Sequence, residues 1–389
     1  MKKYRNIKFS KIKKKKSKYE ITILIFPKIL KSFFFIILLF ISFKTIHNDS
    51  NIRQNYTNNN NTNNNKNSTN NNIKNDIHLS INIDNKYIYP CIVFLTSLLD
   101  NRKQSTFYNI HLLTNNNLTK NSMNKLNKII EKFGNNSVKL NYYNLENYFK
   151  KATITFISVA TYYKLALPSL LPNVDKIIYS DSDMLNLEDL TEMYNIEFKD
   201  KIYFCGTLDY ISHLNQLKEF GLSSDKYING GVLLMNLKAM REDSIDKKLS
   251  EFIATHTLQF HDQTAINCVC HNNIQVLPYK YNVFSYPSFD IFSKLNNQQN
   301  IKYKFNESEL FKNFNEPILY HYISVRKPWL HSTSNFNIVY WWYYAKMSGF
   351  YQEILDYYKF NKNDIDSLLN KIPDDGGLLK RNYKKFIIQ

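Results

Sequence analysis

Two carboxylates one residue apart follow a short apolar stretch of the chain. Residues 177–179 are Ile-Ile-Tyr, and Asp181 and Asp183 come directly after Ser180 and Ser182. In an extended strand, residues i and i+2 project to the same side, so both carboxylates can reach one cation. Mg²⁺ and Mn²⁺ prefer such oxygen ligands and also bind phosphate groups. The pattern indicates a metal site at the end of a strand, although a solvated turn with two acidic residues would have the same pattern.

Apolar runs and helical patterns alternate around this motif. Strands are expected at residues 78–83, 138–142, 176–180, 202–206, 232–235 and 317–322, and helices at 89–100, 121–133, 159–170, 245–256 and 261–270. Such alternation predicts an α/β layer architecture, in which ligands bind at the carboxyl ends of the strands. The chain has 389 residues, of which 43% are hydrophobic, and this content is sufficient for a packed body.

The N-terminal region is strongly basic and is followed by an apolar run. Ten of the first eighteen residues are Lys or Arg, and residues 32–43 carry no charge. The formal net charge is +18, but the basic cluster adjoins the apolar run, so we expect no nucleic-acid partner. The pattern predicts a single-pass type II membrane protein, with residues 1–31 as a cytosolic tail and 32–47 as the anchor. A cleaved signal peptide is the alternative, but no small-residue cleavage site follows Phe43.

The rest of the chain divides by composition. Residues 48–76 are dominated by Asn, Thr, Ser and Lys, which predicts a disordered stem because such a segment buries little apolar area. Residues 77–350 are expected to form the folded body, and 351–389 a C-terminal extension. The four cysteines are expected to be buried free thiols, although an oxidising compartment would permit one disulfide.

Five parts of the body, in this order, resemble glycosyltransferase family eight, the family of glycogenin and the bacterial lipopolysaccharide galactosyltransferases. They are residues 159–165 (VATYYKL), 175–183 (DKIIYSDSD), 227–237 (YINGGVLLMNL), 261–267 (HDQTAIN), and 320–322 with 327–329 (YHY and KPW). The resemblance extends over residues 77–329. It implies a GT-A, Rossmann-like fold with a mixed central sheet flanked by helices.

The same resemblance implies roles for individual residues. Asp181, Asp183 and His321 correspond to the ligands of a metal ion, Mn²⁺ or Mg²⁺. Asp262 and Gln263 correspond to the reacting face, and whether either acts as a nucleophile stays open. The remaining donor-binding positions are Asp84, Lys86, Lys164, Ser182, Asp209, Asn229, Ser324 and Lys327.

Three of these positions depart from the family pattern. Lys164 stands where Arg is frequent, which removes the planar fork of a guanidinium. Ser324 stands at a position often held by Gly, and Lys86 at one commonly held by Asn.

Three of the functional residues also have a simpler, structural explanation. His321 would serve as a buried core histidine, Lys327 as a surface lysine, and Asn229 as a turn residue before a strand.

The resemblance implies a retaining, metal-dependent transferase. It would move a hexose, in preference to a pentose, from a UDP-sugar to a glycan or glycoprotein with an α-linkage. With the N-terminal pattern, this predicts a luminal enzyme of the Golgi or endoplasmic reticulum membrane. One alternative is a membrane-tethered sugar-binding relative without turnover. Another is a haloacid dehalogenase-type phosphatase using residues 374–376, but it leaves His321 and Lys327 unexplained.

Overall fold

The structure is a computed structural model that describes residues 75–115, 118–134, 136–150, 159–209, 219–222, 226–284, 312–313, 316–323, 327–330 and 338–370. The predicted tail and anchor lie outside the described residues, as do most of the predicted stem, Ser324 and residues 374–376. In the part of the chain that is described, none of the helices is long and apolar enough to cross a membrane.

The main sheet has seven strands in the order β3-β2-β1-β4-β7-β6-β8. Strands β1, β2, β3 and β4 are parallel, β6 and β8 are parallel to each other, and β7 runs antiparallel to both of its neighbours. The sheet is therefore mixed, as predicted. Its strands are β1 (Asn75–Asn82), β2 (Thr106–Thr114), β3 (Val138–Asn144), β4 (Lys176–Ser180), β6 (Phe204–Leu208), β7 (Ile228–Asn236) and β8 (Ile274–Val276).

A second sheet of three short strands brings distant parts of the chain together. It consists of β5 (Met184–Asn186), β9 (Val283–Phe284) and β10 (Leu319–His321), in the order β5-β10-β9. Strand β10 is antiparallel to β5, and His321 is paired with Met184. The N–H of Tyr322 donates a hydrogen bond of 3.0 Å to the carbonyl of Asp183. This pairing places His321 beside the two carboxylates that follow β4.

Helices cover both faces of the main sheet. They are α1 (Ile88–Asp100), α2 (Lys120–Phe133), α3 (Leu167–Leu170), α4 (Thr191–Tyr194), α5 (Leu237–Glu242), α6 (Ile245–Thr255), α7 (His261–Val269), α8 (Ile338–Met347), α9 (Tyr351–Tyr358) and α10 (Lys362–Leu369). A 3₁₀ helix over Val159–Ala166 precedes α3. Helix α2 begins after Thr119, whose hydroxyl accepts from the Ser122 N–H, and ends before Gly134 at φ +88°.

Strand β4 shows why a strand inside the sheet carries an uninterrupted apolar run. Ile178 packs into the core that contains α1 and α2, whereas Ile177 and Tyr179 pack into the core that contains α5, α6 and α7. A strand buried on both faces needs apolar side chains in both directions. The carboxylates come directly after this segment, at the first positions where the chain leaves the sheet.

Several elements differ from the sequence-based expectation. Strand β4 has the predicted bounds, but β7 begins at Ile228 and not at residue 232. The helix predicted at 159–170 is 3₁₀ over most of its length. Strands β2, β5, β8 and β9, helices α4 and α5, and the last three helices were not predicted. Helix α8, IVYWWYYAKM, is buried around most of its circumference and so lacks the amphipathic period by which helices are found.

The C-terminal helices belong to the same packed body. Ile354, Leu355, Ile365 and Leu369 are buried in the core cluster that also contains α1. All four cysteines are free, and Cys91, Cys205 and Cys270 are buried.

Candidate active site

The side chains of Asp181, Asp183 and His321 meet at the carboxyl end of β4. One ligand atom from each lies within 4.8 Å of the other two. His321 Nε2 is 3.3 Å from Asp183 Oδ1 and 3.8 Å from Asp181 Oδ2. The segment 181–183, which follows β4 and carries both carboxylates, is called the acidic loop. The Asp181 N–H donates to the Gly231 carbonyl at 2.8 Å, which holds the acidic loop to β7. Two carboxylate oxygens and one imidazole nitrogen form a donor set that suits Mn²⁺ or Mg²⁺.

Asp183 is held in its ionised form by a neighbouring cation. The Lys327 ammonium donates to Asp183 Oδ2 and to the Tyr322 carbonyl. Burial of Asp183 opposes ionisation, but the charge and hydrogen bond of Lys327 outweigh it and lower the pKa of the carboxyl well below its usual range. The site therefore presents a carboxylate, and not a carboxylic acid, at neutral pH.

The side chain of Asp181 is oriented by a hydrogen bond from Tyr179, which lies on β4. The Tyr179 hydroxyl donates to Asp181 Oδ1 at 2.6 Å. Burial, followed by the nearby carboxylates, raises the Tyr179 pKa well above its ordinary value, so the phenol stays protonated and remains a donor. One carboxylate oxygen of Asp181 is therefore hydrogen-bonded to a residue of β4. The Asp181 side chain is still 36% exposed, on the side of the pocket.

Lys164 connects the acidic loop to the start of α7. Its ammonium, 2% exposed, lies 2.7 Å from Asp262 Oδ2 and 3.8 Å from Asp181 Oδ1. It also donates to the Gly230 carbonyl at 2.7 Å and lies 4.0 Å from the centre of the Tyr179 ring. A compact ammonium satisfies these partners without the planar fork of an arginine.

Asp209, Asn229 and Gln263 form one hydrogen-bonded group beside Asp262. Asn229 Nδ2 donates to Asp209 Oδ2 and to Gln263 Oε1, both at 3.1 Å. Gln263 Nε2 donates to Asp209 Oδ2 at 3.0 Å, and its Oε1 accepts from the Gly230 N–H at 3.0 Å. Asn267 holds α7 to β7, because its amide bonds both the N–H and the carbonyl of Ile228 at 2.8 Å.

The two consecutive glycines of β7 leave room for these side chains. A Cβ at Gly231 would lie 2.4 Å from His321 Cε1, closer than carbon atoms approach. A Cβ at Gly230 would lie 3.0 Å from Asp262 Oδ2. The imidazole therefore packs directly against the backbone of β7, and only glycine permits this approach.

A pocket opens between the end of β1 and the acidic loop. Its lining includes Asp84, Tyr87, Asp181, Ser182 and Asp183. Asp84 Oδ1 accepts from the N–H groups of Lys86 and Tyr87 at 2.9 and 3.0 Å, which positions the turn after β1. An aromatic ring at the wall of such a pocket offers a stacking surface to a nucleobase.

The structure brings together most of the residues predicted from sequence, with two exceptions. The Lys86 side chain is exposed and does not line the pocket, and Ser324 lies outside the described residues. Sequence reasoning missed Tyr87, Thr161, Asn267 and Asn282. The hydroxyl of Thr161 donates to Asp262 Oδ1, and Asn282 contacts His321. Of these four, only Tyr87 could have been found from the sequence, as an aromatic residue three positions after Asp84. The other three are recognisable only from contacts between distant segments.

The sequence matches Glycosyl transferase family 8 over residues 78–333, more than half of the chain. The chain belongs to this family. Among its family 8 relatives, the lipopolysaccharide 1,2-glucosyltransferase of Escherichia coli is 24% identical over 275 residues, which cover 68% of this chain and 76% of that one.

Two further relatives are matched over shorter stretches. A putative glycosyltransferase of Haemophilus influenzae is 31% identical over 149 residues, which cover 37% of this chain and 44% of the relative. General stress protein A of Bacillus subtilis is 26% identical over 186 residues, which cover 46% of this chain and 62% of the relative. The matches therefore span about half the length of these two relatives.

Solved structures confirm the predicted GT-A fold. The bifunctional glycosyltransferase WbbM superposes with a TM-score of 0.63 at 19% identity, covering 72% of this chain and 51% of WbbM. The galactosyltransferase LgtC, solved with donor and acceptor sugar analogues, superposes with a TM-score of 0.55 at 18% identity, covering 70% of this chain and 95% of LgtC. At these identities the likeness establishes the fold alone.

The predicted location in the Golgi or endoplasmic reticulum is wrong. The three relatives named above come from bacteria, which have neither organelle. The prediction failed because a basic segment beside an apolar run carries no information about a particular compartment.

Proposed function

We propose that this family 8 protein is a retaining glycosyltransferase that uses Mn²⁺ or Mg²⁺ to transfer a sugar, a hexose in preference to a pentose, from a UDP-sugar to a glycan or glycoprotein with an α-linkage. The observation that carries the proposal is the meeting of Asp181, Asp183 and His321, of which the two carboxylates line the pocket. LgtC, which shares the fold, has been solved with donor and acceptor sugar analogues.

The acidic loop and Lys327 would together bind the donor diphosphate. A divalent ion held by Asp181, Asp183 and His321 supplies positive charge that stabilises a departing diphosphate. The ammonium of Lys327 lies at Asp183 Oδ2, so its positive charge is next to the proposed metal site. A preformed positive charge at this position favours the transition state, in which the leaving group is most negative.

The pocket wall supports a nucleotide as the donor carrier. Asp84 and Tyr87 lie at the end of β1, and Asp181 and Ser182 lie across the pocket. The carboxylate of Asp84 would accept a hydrogen bond from the base or ribose, and Tyr87 would stack on the base. A nucleotide bound in this way would have its diphosphate next to the acidic loop.

Asp262 and Gln263 would orient the donor sugar. Asp262 Oδ2 is paired with Lys164 at 2.7 Å, and Asp262 Oδ1 accepts from Thr161. Gln263 Oε1 already accepts two hydrogen bonds. Lone pairs engaged in this way are poor nucleophiles, so the geometry favours loss of the diphosphate followed by attack of the acceptor on the same face of the sugar.

Incubation of the full-length protein with a panel of UDP-sugars, with and without Mn²⁺, tests this function. We expect Mn²⁺-dependent release of UDP from one or a few donors. Donor binding without turnover would favour the non-catalytic sugar-binding alternative. Hydrolysis of a simple phosphomonoester without UDP release would favour the phosphatase alternative, which the family match already disfavours.

A further inference from the structure

A chain of side-chain amides connects the backbone of β7 to His321. The Gly231 N–H donates to Asn229 Oδ1 at 2.9 Å. A backbone N–H is always a donor, so the atom of Asn229 that faces it must be the oxygen. The other end of the Asn229 amide faces Asp209 Oδ2 at 3.1 Å, and a carboxylate only accepts. Contacts at both ends therefore determine the orientation of Asn229.

The orientation of Asn229 determines that of Asn282. Asn282 is fully buried, and its Nδ2 donates to Asn229 Oδ1 at 2.9 Å. The nitrogen of Asn282 must face Asn229, because two oxygens would repel each other there. The oxygen of Asn282 consequently faces His321 Nδ1 at a distance of 3.0 Å. An amide oxygen accepts hydrogen bonds and cannot donate, so Nδ1 must carry a proton.

We propose that Asn282 is a positioning residue that holds neutral His321 in the tautomer with the proton on Nδ1. The lone pair of Nε2 then points to the side where Asp181 and Asp183 lie, at 3.8 and 3.3 Å. A metal ligand needs this lone pair, and a hydrogen bond to the other ring nitrogen commonly selects it. The inference rests on the proposed metal-dependent function.

Packing reinforces the hydrogen bond by restricting the imidazole ring. Gly231 lies against one part of the ring, where a Cβ would be 2.4 Å from Cε1. The ring of Phe284 meets the imidazole edge-on, at 6.1 Å between centres and 76° between planes. Because Asn282 directly precedes β9, Phe284 ends β9 and His321 ends β10, pairing of these two strands brings Asn282 and Phe284 to the imidazole.

The tautomer is directly measurable in the wild-type protein without added metal. We would record long-range ¹H–¹⁵N spectra of full-length protein with ¹⁵N-labelled histidine at mildly alkaline pH. The His321 signals are assigned by their loss in His321→Gln. We expect the Nδ1–H pattern for His321. An Nε2–H pattern would overturn the proposal, whatever the Mn²⁺ affinities of the Asn282 variants.

Variants of Asn282 test the consequence for metal binding, with free Mn²⁺ measured by electron paramagnetic resonance. Asn282→Ala removes the acceptor and should weaken Mn²⁺ binding by about 10–100-fold, as loss of a partner of a metal-ligating histidine does. Asn282→Asp keeps an acceptor for Nδ1–H but places its second oxygen against Asn229 Oδ1, so it should retain the tautomer and bind Mn²⁺ with an affinity between those of the wild type and Asn282→Ala. Asn272→Ala, at an exposed position nearby, is the matched control and should bind as the wild type does.

The outcomes separate this inference from the proposed function. A wild-type protein that binds no Mn²⁺ would overturn the metal site itself. Wild-type Mn²⁺ binding together with unchanged affinity in folded Asn282→Ala would overturn only the role of Asn282. If Asn282→Ala does not fold, the wild-type tautomer decides alone.

Discussion

Two buried histidines of this molecule lie in opposite electrostatic surroundings. His321 faces Asp181 and Asp183, with Asn282 behind it. His111, on β2, has different partners: its Nε2 is 2.9 Å from His78 Nδ1, and its Nδ1 is 3.2 Å from the Tyr143 hydroxyl.

The difference shows what makes a histidine suitable for binding a cation. Burial, followed by the neighbouring charges of His78 and Lys139, lowers the pKa of His111 to about 4. A positive charge is therefore unfavourable at His111, whereas the carboxylates of Asp181 and Asp183 attract a cation to the position beside His321. The residue type is the same, and the neighbouring groups decide between a structural and a functional role.

The largest effect is expected from removing the charge that distinguishes the His321 region. Asp183→Asn keeps the shape of the side chain but removes a metal-binding carboxylate. We expect kcat for donor turnover to fall by about a hundredfold or more, on the order of 3 kcal/mol. The control is Asp175→Asn, which makes the same chemical change at an exposed carboxylate paired with Arg241. Full activity of folded Asp183→Asn would show that Asp183 is only a turn residue.

The second prediction separates metal ligation from phosphate contact. His321→Ala removes a ligand, so Mn²⁺ should bind more weakly than it does to Asn282→Ala, and the loss of activity should shrink as Mn²⁺ is raised. Lys327→Ala removes a charge that acts on the leaving diphosphate, so its loss should appear in kcat as well as KM and resist added Mn²⁺. The measurement is kcat and KM for the donor across a Mn²⁺ titration. Rescue of Lys327→Ala, with no metal dependence in His321→Ala, would reverse both assignments.

The third prediction concerns the surface against which His321 packs. Gly231→Ala should displace the imidazole, because the new Cβ would lie 2.4 Å from Cε1. Overpacking of this kind costs about 1–3 kcal/mol. Because this cost is paid when the imidazole occupies its metal-binding position, Mn²⁺ should bind about tenfold more weakly or worse. Gly230→Ala is the matched control, since its Cβ would meet Asp262 and not His321. Equal Mn²⁺ affinities of the two variants would argue against a tightly held ring.

The smallest effect is expected at His111 and concerns stability. Its folded-state pKa of about 4 lies below the ordinary value of 6.5, so the unfolded chain binds more protons between these values. Its contribution to stability is therefore present above pH 6.5 and is lost as pH falls towards 4. The loss at pH 5 is on the order of 2 kcal/mol, or a few degrees in Tm.

Replacing His111 should reduce this pH dependence. His111→Gln should flatten the change in Tm between about pH 7 and pH 5, whereas His256→Gln, at an exposed histidine, should not. Equal slopes for His111→Gln and the wild type would show that His111 does not contribute to the acid sensitivity.

The sequence predicted most of the longer elements better than the short ones, although the nine-residue strand β2 was missed. Strand β4 and helices α1, α2, α6 and α7 were found at or near their observed bounds, because they have strong apolar patterns and clear ends. Strand β5 has three residues and β9 has two, too few to show a period. Their pairing with β10 depends on contacts between residues about 40 to 140 positions apart, which a local pattern cannot reveal.

The candidate site was predictable where a motif was local. Asp181 and Asp183 stand out as two carboxylates after an apolar strand, and His321 was located by its family motif. Asn282 was not found, because in this Asn-rich chain it is distinguished only by what it contacts. Lys164 was placed at the donor, but its ion pair with Asp262 was not foreseen.

The binding of UDP with and without Mn²⁺ tests the metal site most directly, because it requires neither the donor sugar nor the acceptor. Titration calorimetry on the full-length protein should show that Mn²⁺ strengthens UDP binding by at least about tenfold, which is about 1.4 kcal/mol. The gain should disappear in Asp183→Asn and persist in Asp175→Asn. Equally tight UDP binding by the exhaustively chelated wild type would contradict a metal held between the acidic loop and the diphosphate.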